Sequence, residues 1–128
     1  MKINATMIVL PVKDLKQTIT YYHKNFSFQL SQMWPEENPN FILISNGYNH
    51  LGFIKTADMP LKDNQKISIN FDVDNIDAVY AKIKENVNII DELANAEYNR
   101  KEFSLLDCNG YKITMGQYID QNNAEKSK

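Results

Sequence analysis

The chain repeats itself. Val12, Leu15, Tyr22, Phe26 and Phe28 in the first half fall on Val73, Ile76, Ile83, Val87 and Ile89 in the second at one constant offset. Each set combines a strand-end residue, an apolar helix stripe and the approach to a further strand. What recurs is therefore a packed unit and not just a composition. The turn tripeptide Asn46-Gly47-Tyr48 also returns, as Asn109-Gly110-Tyr111. A duplication of this kind constrains the fold more tightly than any single segment, because both copies must bury the same stripe in the same way.

Within the first copy, residues 6–12 are short, apolar and β-branched, which predicts a strand buried on both faces with Pro11 near its end or at an edge. Asp14 caps a helix whose apolar face is Leu15, Thr18, Ile19, Tyr22 and Phe26. Strand-like runs follow at 28–34, 41–45 and 50–55, with a loop over 35–39 and a hairpin turn of the Asn-Gly type over 46–49. Residues 57–65 read as a linker. In the second copy Ile67, Ile69, Phe71 and Val73 alternate with Ser68, Asn70 and Asp72, the pattern of a half-buried strand. Asn75 caps a helix with Ile76, Val79, Tyr80 and Ile83 on its apolar face. A short strand over 86–90, an irregular loop over 91–99 and a final hairpin around Asn109-Gly110 complete the copy. The fold class is α+β: one domain over 1–118, made of two tandem β-α-β-β-β modules at about 5–56 and 66–118, then a frayed polar tail over 119–128.

Composition narrows the function. A net charge of -2 with no basic cluster beyond Asn99-Arg100-Lys101 argues against nucleic acid. No apolar run is long enough to span a bilayer, and the first residues do not form a secretion signal. The single cysteine, Cys108, excludes an intrachain disulfide and fits a reducing cytoplasm. Four scattered glycines form no phosphate-binding loop, and no Ser-His-acid or Cys-His arrangement has a visible basis.

Val12-Lys13-Asp14-Leu15 with Tyr21-Tyr22 and Phe26-Ser27-Phe28 looks like the motif Val-x-Asp-Leu…Phe-Tyr…Leu-Gly-Phe. Residues 98–103 and Asp107-Cys108-Asn109-Gly110-Tyr111 look like Tyr-Gly-x-Arg-Glu-Phe and Asp-Pro-Asp-Gly-Tyr. In the order and spacing of these motifs, over about residues 5 to 118, the chain resembles the glyoxalase / bleomycin-resistance / extradiol-dioxygenase group, the vicinal oxygen chelate superfamily. The resemblance implies curved sheets around a shared cleft with the helices outside, and often a homodimer. Metal-dependent members hold one divalent ion with His, Glu or Gln from four strands. Carried over one at a time, those positions fall on Met7, on Leu51 or Gly52, on Ser68 and on Thr114. A thioether and two hydroxyls do not replace imidazoles and carboxylates. No metal and no other cofactor is therefore expected, and the resemblance points to the metal-free bleomycin-resistance branch, which sequesters a drug without chemistry.

Strand alternation gives such a cleft an apolar side with Met7 and Val9, and a polar side with Ser68, Asn70, Asp72 and Thr114. Trp34 and Tyr98 offer aromatic faces and Glu102 negative charge for a small organic ligand, often cationic in this branch. His50 lies beside the second metal position, and a one-residue slip would turn it into the cleft. Trp34 suits a groove and a dimer interface equally. Phe41 and Phe103 read as core, and Asp107 as an organiser of the turn that follows it. Two other readings stand beside the binding protein. One is a metal-dependent lyase, isomerase or dioxygenase with a displaced site at His50, Glu102 and Asp72. The other is an interaction module whose groove is filled by side chains or by another protein.

Overall fold

In a computed structural model that describes residues 1–57, 64 and 66–119, the repeat takes shape as two units, Met1–Pro60 and Leu61–Lys128. The expected linker over 57–65 and the tail over 119–128 lie outside the described residues, apart from Ala57, Asn64 and Ile119. The first unit runs β1 (Ile8–Val12), α1 (Leu15–Phe26), β2 (Gln29–Trp34), β3 (Phe41–Asn46) and β4 (Asn49–Lys55). The second repeats that order with β5 (Ser68–Asp72), α2 (Ile76–Ile83), β6 (Asn88–Ala96), β7 (Arg100–Leu106) and β8 (Lys112–Tyr118). The sheets are equivalent, β1-β4-β3-β2 and β5-β8-β7-β6. In each, the first strand pairs in parallel with the last and the other pairs are antiparallel. These are the two expected β-α-β-β-β modules. No helix among the described residues is long and apolar enough to cross a membrane.

Capping fixes where the helices begin. The Asp14 side chain accepts from the Gln17 amide at 3.0 Å, and Asn75, itself left-handed, accepts from the Ala78 amide at 3.4 Å. The Gln117 side chain accepts from the Ile76 amide at 3.0 Å, tying α2 to the end of β8. At the other end of α1, Ser27 takes the left-handed conformation with φ 59°, a position that glycine fills most easily. The motif that this segment resembles has glycine there.

Packing then selects one face of each sheet. In the first unit Leu10, Val12, Ile42, Ile44, Leu51 and Phe53 are buried together with Leu15, Tyr22 and Phe26 of α1. The Tyr22 ring meets Phe53 at 5.3 Å and Phe26 at 5.4 Å between centroids. In the second, Phe103, Leu105, Ile113 and Met115 are buried with Ile76 and Ile83, and Tyr80 meets Phe103 edge-on at 4.9 Å. Burying each such side chain contributes roughly 1.5–3 kcal/mol.

Three expectations need correction. β1 is not buried on both faces: it is an edge strand of its sheet, with Leu10 and Val12 inside and Ile8 and Val9 exposed. The segment after Ile90 is not an irregular loop, since β6 continues to Ala96. It breaks register between Ile89 and Asp91 and again between Asp91 and Ala94, and such bulges erase the two-residue period that marks a strand. The first hairpin is closed by the Asn46–Asn49 pair, so its loop residues are Gly47 and Tyr48. Positive φ falls on Gly47 alone, the type II′ pattern and not the Asn-Gly type.

The β7–β8 connection is organised as expected. One Asp107 carboxylate oxygen accepts from the Asn109 and Tyr111 amides, each at 2.8 Å, while Gly110 takes φ 84°. Tyr111 is fully buried in this turn. Burial, and secondarily the Asp107 charge, push its phenol from 10.0 to about 12. A neutral group with a raised folded value contributes stability in full below the unfolded value and loses it as pH rises through the folded one. Urea unfolding of the wild type should show stability constant just below pH 10 and falling between pH 10 and 12. Tyr111→Phe should flatten that fall, and an unchanged slope would contradict the assignment.

Candidate functional site

Because strand neighbours share a face, the registers define the sheet face that each unit's helix leaves uncovered. In the first unit it carries rows Pro11–Ile54–Phe41–Trp34 and Val9–Gly52–Leu43–Gln32, with His50 beside Ser45. Gly52 is the low point of this face. A Cβ there would lie 3.1 Å from the Phe41 ring, 3.1 Å from Val9 and 3.3 Å from the Met7 sulfur, so three apolar side chains close over the glycine. Trp34, 67% exposed, lines a concavity of about 560 Å³ with Phe41, Gln32 and Met33. Phe41 thus belongs to the open face and not to the core, whereas Phe103 is core as expected. His50 reaches the open face without any slip, sharing it with Gly52 two residues on, and its Nδ1 lies 2.7 Å from the Ser45 hydroxyl.

The second unit's open face is polar. Its rows are Ser68–Lys112, Asn70–Thr114–Ser104–Asp91 and Asp72–Gly116–Glu102–Ala94. A concavity of about 400 Å³ brings together the predicted residues Ser68, Asn70, Tyr98, Glu102 and Thr114, and adds Asp91, Glu92, Ser104 and Lys112. Asp72 lies on the same face but outside that lining. Met7, Val9, Trp34 and His50 belong to the other unit.

The feature that sequence reasoning missed is Arg100. Its guanidinium bonds Asp72 through one terminal nitrogen, Glu102 through Nε at 3.1 Å and the Phe71 carbonyl at 3.4 Å, with the Tyr118 ring 4.8 Å away. Arg100 is only 6% exposed. Burial acts to lower its pKa, but the bond and charge of Asp72, then the bond of Glu102, outweigh it and the net direction is up. On the other side Tyr98 donates its hydroxyl to Glu102 at 2.8 Å, and that bond holds the phenol proton above its ordinary pKa. Glu102 is therefore held from both sides and presents a fixed carboxylate. No local pattern marks it: room for the guanidinium comes from Gly116, which stands directly across the ladder from Glu102, a pairing that only the register reveals.

A Cβ on Gly116 would sit 2.6 Å from Arg100 Nε. Gly116→Ala should push the guanidinium aside and break its bonds to Asp72 and Glu102, at a cost of about 1 kcal/mol in urea unfolding because the Asp72 side chain is 70% exposed. Retention of full stability would show that the bonds of Arg100 to Asp72 and Glu102 contribute nothing.

The four metal positions implied by the resemblance fall on Met7 and on Gly52 or Leu51 in the first unit, and on Ser68 and Thr114 in the second. These are a thioether, a bare backbone or an alkyl group, and two hydroxyls. Thr114 is buried and hydrogen-bonded to Ser104 at 3.0 Å. Among the described residues no three His, Cys, Asp or Glu side chains converge on one point. This donor set does not fit a divalent transition metal.

The family model described as Glyoxalase/Bleomycin resistance protein/Dioxygenase superfamily matches residues 2–115. No curated protein matches the sequence. Solved structures share the fold at low identity. TnmS3, an antibiotic binding protein from Streptomyces sp. CB03234, is 18% identical with a TM-score of 0.72, covering 92% of this chain and 98% of its own. TioX from Micromonospora sp. ML1 is 12% identical with a TM-score of 0.75, covering 91% of this chain and 100% of its own. A glyoxalase/bleomycin resistance protein/dioxygenase from Nocardioides is 13% identical, also with a TM-score of 0.75, covering 94% and 86%.

Proposed function

The chain belongs to the glyoxalase/bleomycin resistance protein/dioxygenase superfamily, and from that premise we propose that it binds a small organic molecule without a metal and holds it without transforming it. This is the mode of the bleomycin-resistance branch, with antibiotic sequestration in the cytoplasm by a homodimer as its fullest form. The observation that carries the reading is the donor set at the four family metal positions, which offers no imidazole and no carboxylate. The faces around those positions are nevertheless open. The aromatic pair Trp34 and Phe41 suits a flat apolar ring, and the polar face of the second unit supplies fixed hydrogen-bonding groups. The antibiotic-binding neighbour TnmS3 has the same fold, and such a role on this scaffold is consistent with the absence of ligating residues.

The metal-dependent enzyme finds less support. Asp72 and Glu102, the carboxylates it would use, are both bonded to Arg100, and Glu102 also accepts from Tyr98.

Trp34 is the only tryptophan in the chain, so its emission reports on the first unit's open face alone. Titration with bleomycin and with a polycyclic aromatic antibiotic should quench or shift that emission for at least one of them. The same ligand should stabilise the fold by about 2.7 kcal/mol at hundredfold excess over its Kd. Metal-stripped protein should melt at the same temperature with zinc, nickel, manganese or ferrous iron present. Silence of the tryptophan across the panel, or a clear rise in melting temperature with one metal, would overturn the reading.

A further inference from the structure

Resting on the ligand-binding reading above, we infer that the concavity of the second unit is a site for a polyhydroxylated amine, an amino sugar, with its ammonium groups on Asp91 and Glu92 and its hydroxyls on Ser104 and Thr114. The bulges of β6 make the first half of this site. A regular strand turns successive side chains to opposite faces, so Asp91 and Glu92 could not both reach one concavity. The ladder shifts on either side of Asp91, and both residues line the concavity.

Charge selects a cation. Asp91, Glu92 and Glu102 line the concavity against one basic side chain, Lys112. Glu102 is tied to Arg100, and Lys112 reaches no closer than 4.0 Å to Asp91, so the pair Asp91 and Glu92 carries more negative charge than Lys112 offsets. A bare metal ion is a poor occupant, because no three ligating side chains converge among the described residues. An ammonium group needs no fixed coordination shell and is satisfied by hydrogen bonds from several directions.

Hydroxyl chemistry selects the rest of the molecule. Ser104 and Thr114, 5% and 8% exposed, are among the lining residues and share a hydrogen bond at 3.0 Å. That bond uses one of their two hydroxyl protons, so the pair retains a donor and free lone pairs at a nearly dry surface. A ligand hydroxyl can both accept and donate there, whereas an alkyl amine leaves those groups without partners. Tyr98, its hydroxyl fixed on Glu102, provides a ring face at the rim against which the carbon side of a sugar can rest. A volume of about 400 Å³ lies within the roughly 300–1,000 Å³ of small-molecule sites.

The test is calorimetric titration of the full chain with three probes: kanamycin, a three-ring amino sugar; raffinose, a neutral trisaccharide; and spermine, an amine without hydroxyls. Kanamycin should bind, with the other two about tenfold weaker or more, and its affinity should fall as salt is raised. The double variant Asp91→Asn/Glu92→Gln, at two exposed side chains, should melt like the wild type and bind kanamycin about tenfold more weakly. Ser104→Ala, measured in parallel, should weaken kanamycin and leave spermine unchanged. Absence of kanamycin binding, equal binding of spermine, or a double variant that binds like the wild type would each overturn the inference. Those results are separable from failure of the proposed function, which is read from Trp34 emission in the first unit and from melting with metal ions.

Discussion

Each half of the molecule rests on one amphipathic helix pressed against one face of a four-stranded sheet. Alternation along a strand means that burying Leu10, Val12, Ile42, Ile44, Leu51 and Phe53 under α1 turns every intervening residue the other way. The same holds for Phe103, Leu105, Ile113 and Met115 under α2. The open faces are therefore not an added feature. They are what remains once a single helix has covered a single side, and their chemistry is set by the residues that packing leaves out.

Duplication fixed the frame while the two open faces diverged. The first carries Met7, Val9, Phe41 and Trp34 around Gly52, and glycine there permits three apolar side chains to converge. The second carries hydroxyls, amides and carboxylates around Gly116, and glycine there admits a guanidinium. Gly52 stands on β4 and Gly116 on β8, the last strand of each unit. One position makes room for carbon and the other for charge.

Much of the frame was legible because it follows short periods. The two helix stripes, their Asp14 and Asn75 caps, the alternation from Ser68 to Asp72 and the order of strands all follow from spacing and turn chemistry. What escaped reading depends on pairings between distant residues. The Arg100–Asp72 bond joins positions 28 apart, and no local pattern announces it. The bulges of β6 hide a strand, because an extra residue breaks the alternation by which a strand is recognised. Phe41 looked like core since its neighbours Ile42 and Ile44 are core, and only the register with Ile54 and Trp34 puts it on the opposite face. Of the site, the polar residues of β5 and β8 were legible from alternation, whereas the contribution of β6 was not.

The parallel pairing of β1 with β4, and of β5 with β8, bears on how the chain is made. Each sheet joins the earliest strand of its half to the latest, with the whole half as the intervening loop, and such distant pairings form slowly. On a ribosome the first half has every strand of its sheet once Lys55 has emerged. The second must wait for β8, which ends at Tyr118. Until then β5 and β7 both lack the neighbour that lies between them. A premature stop before Lys112 would leave the first sheet's strands intact and deprive the second of the strand that joins its edge to its interior.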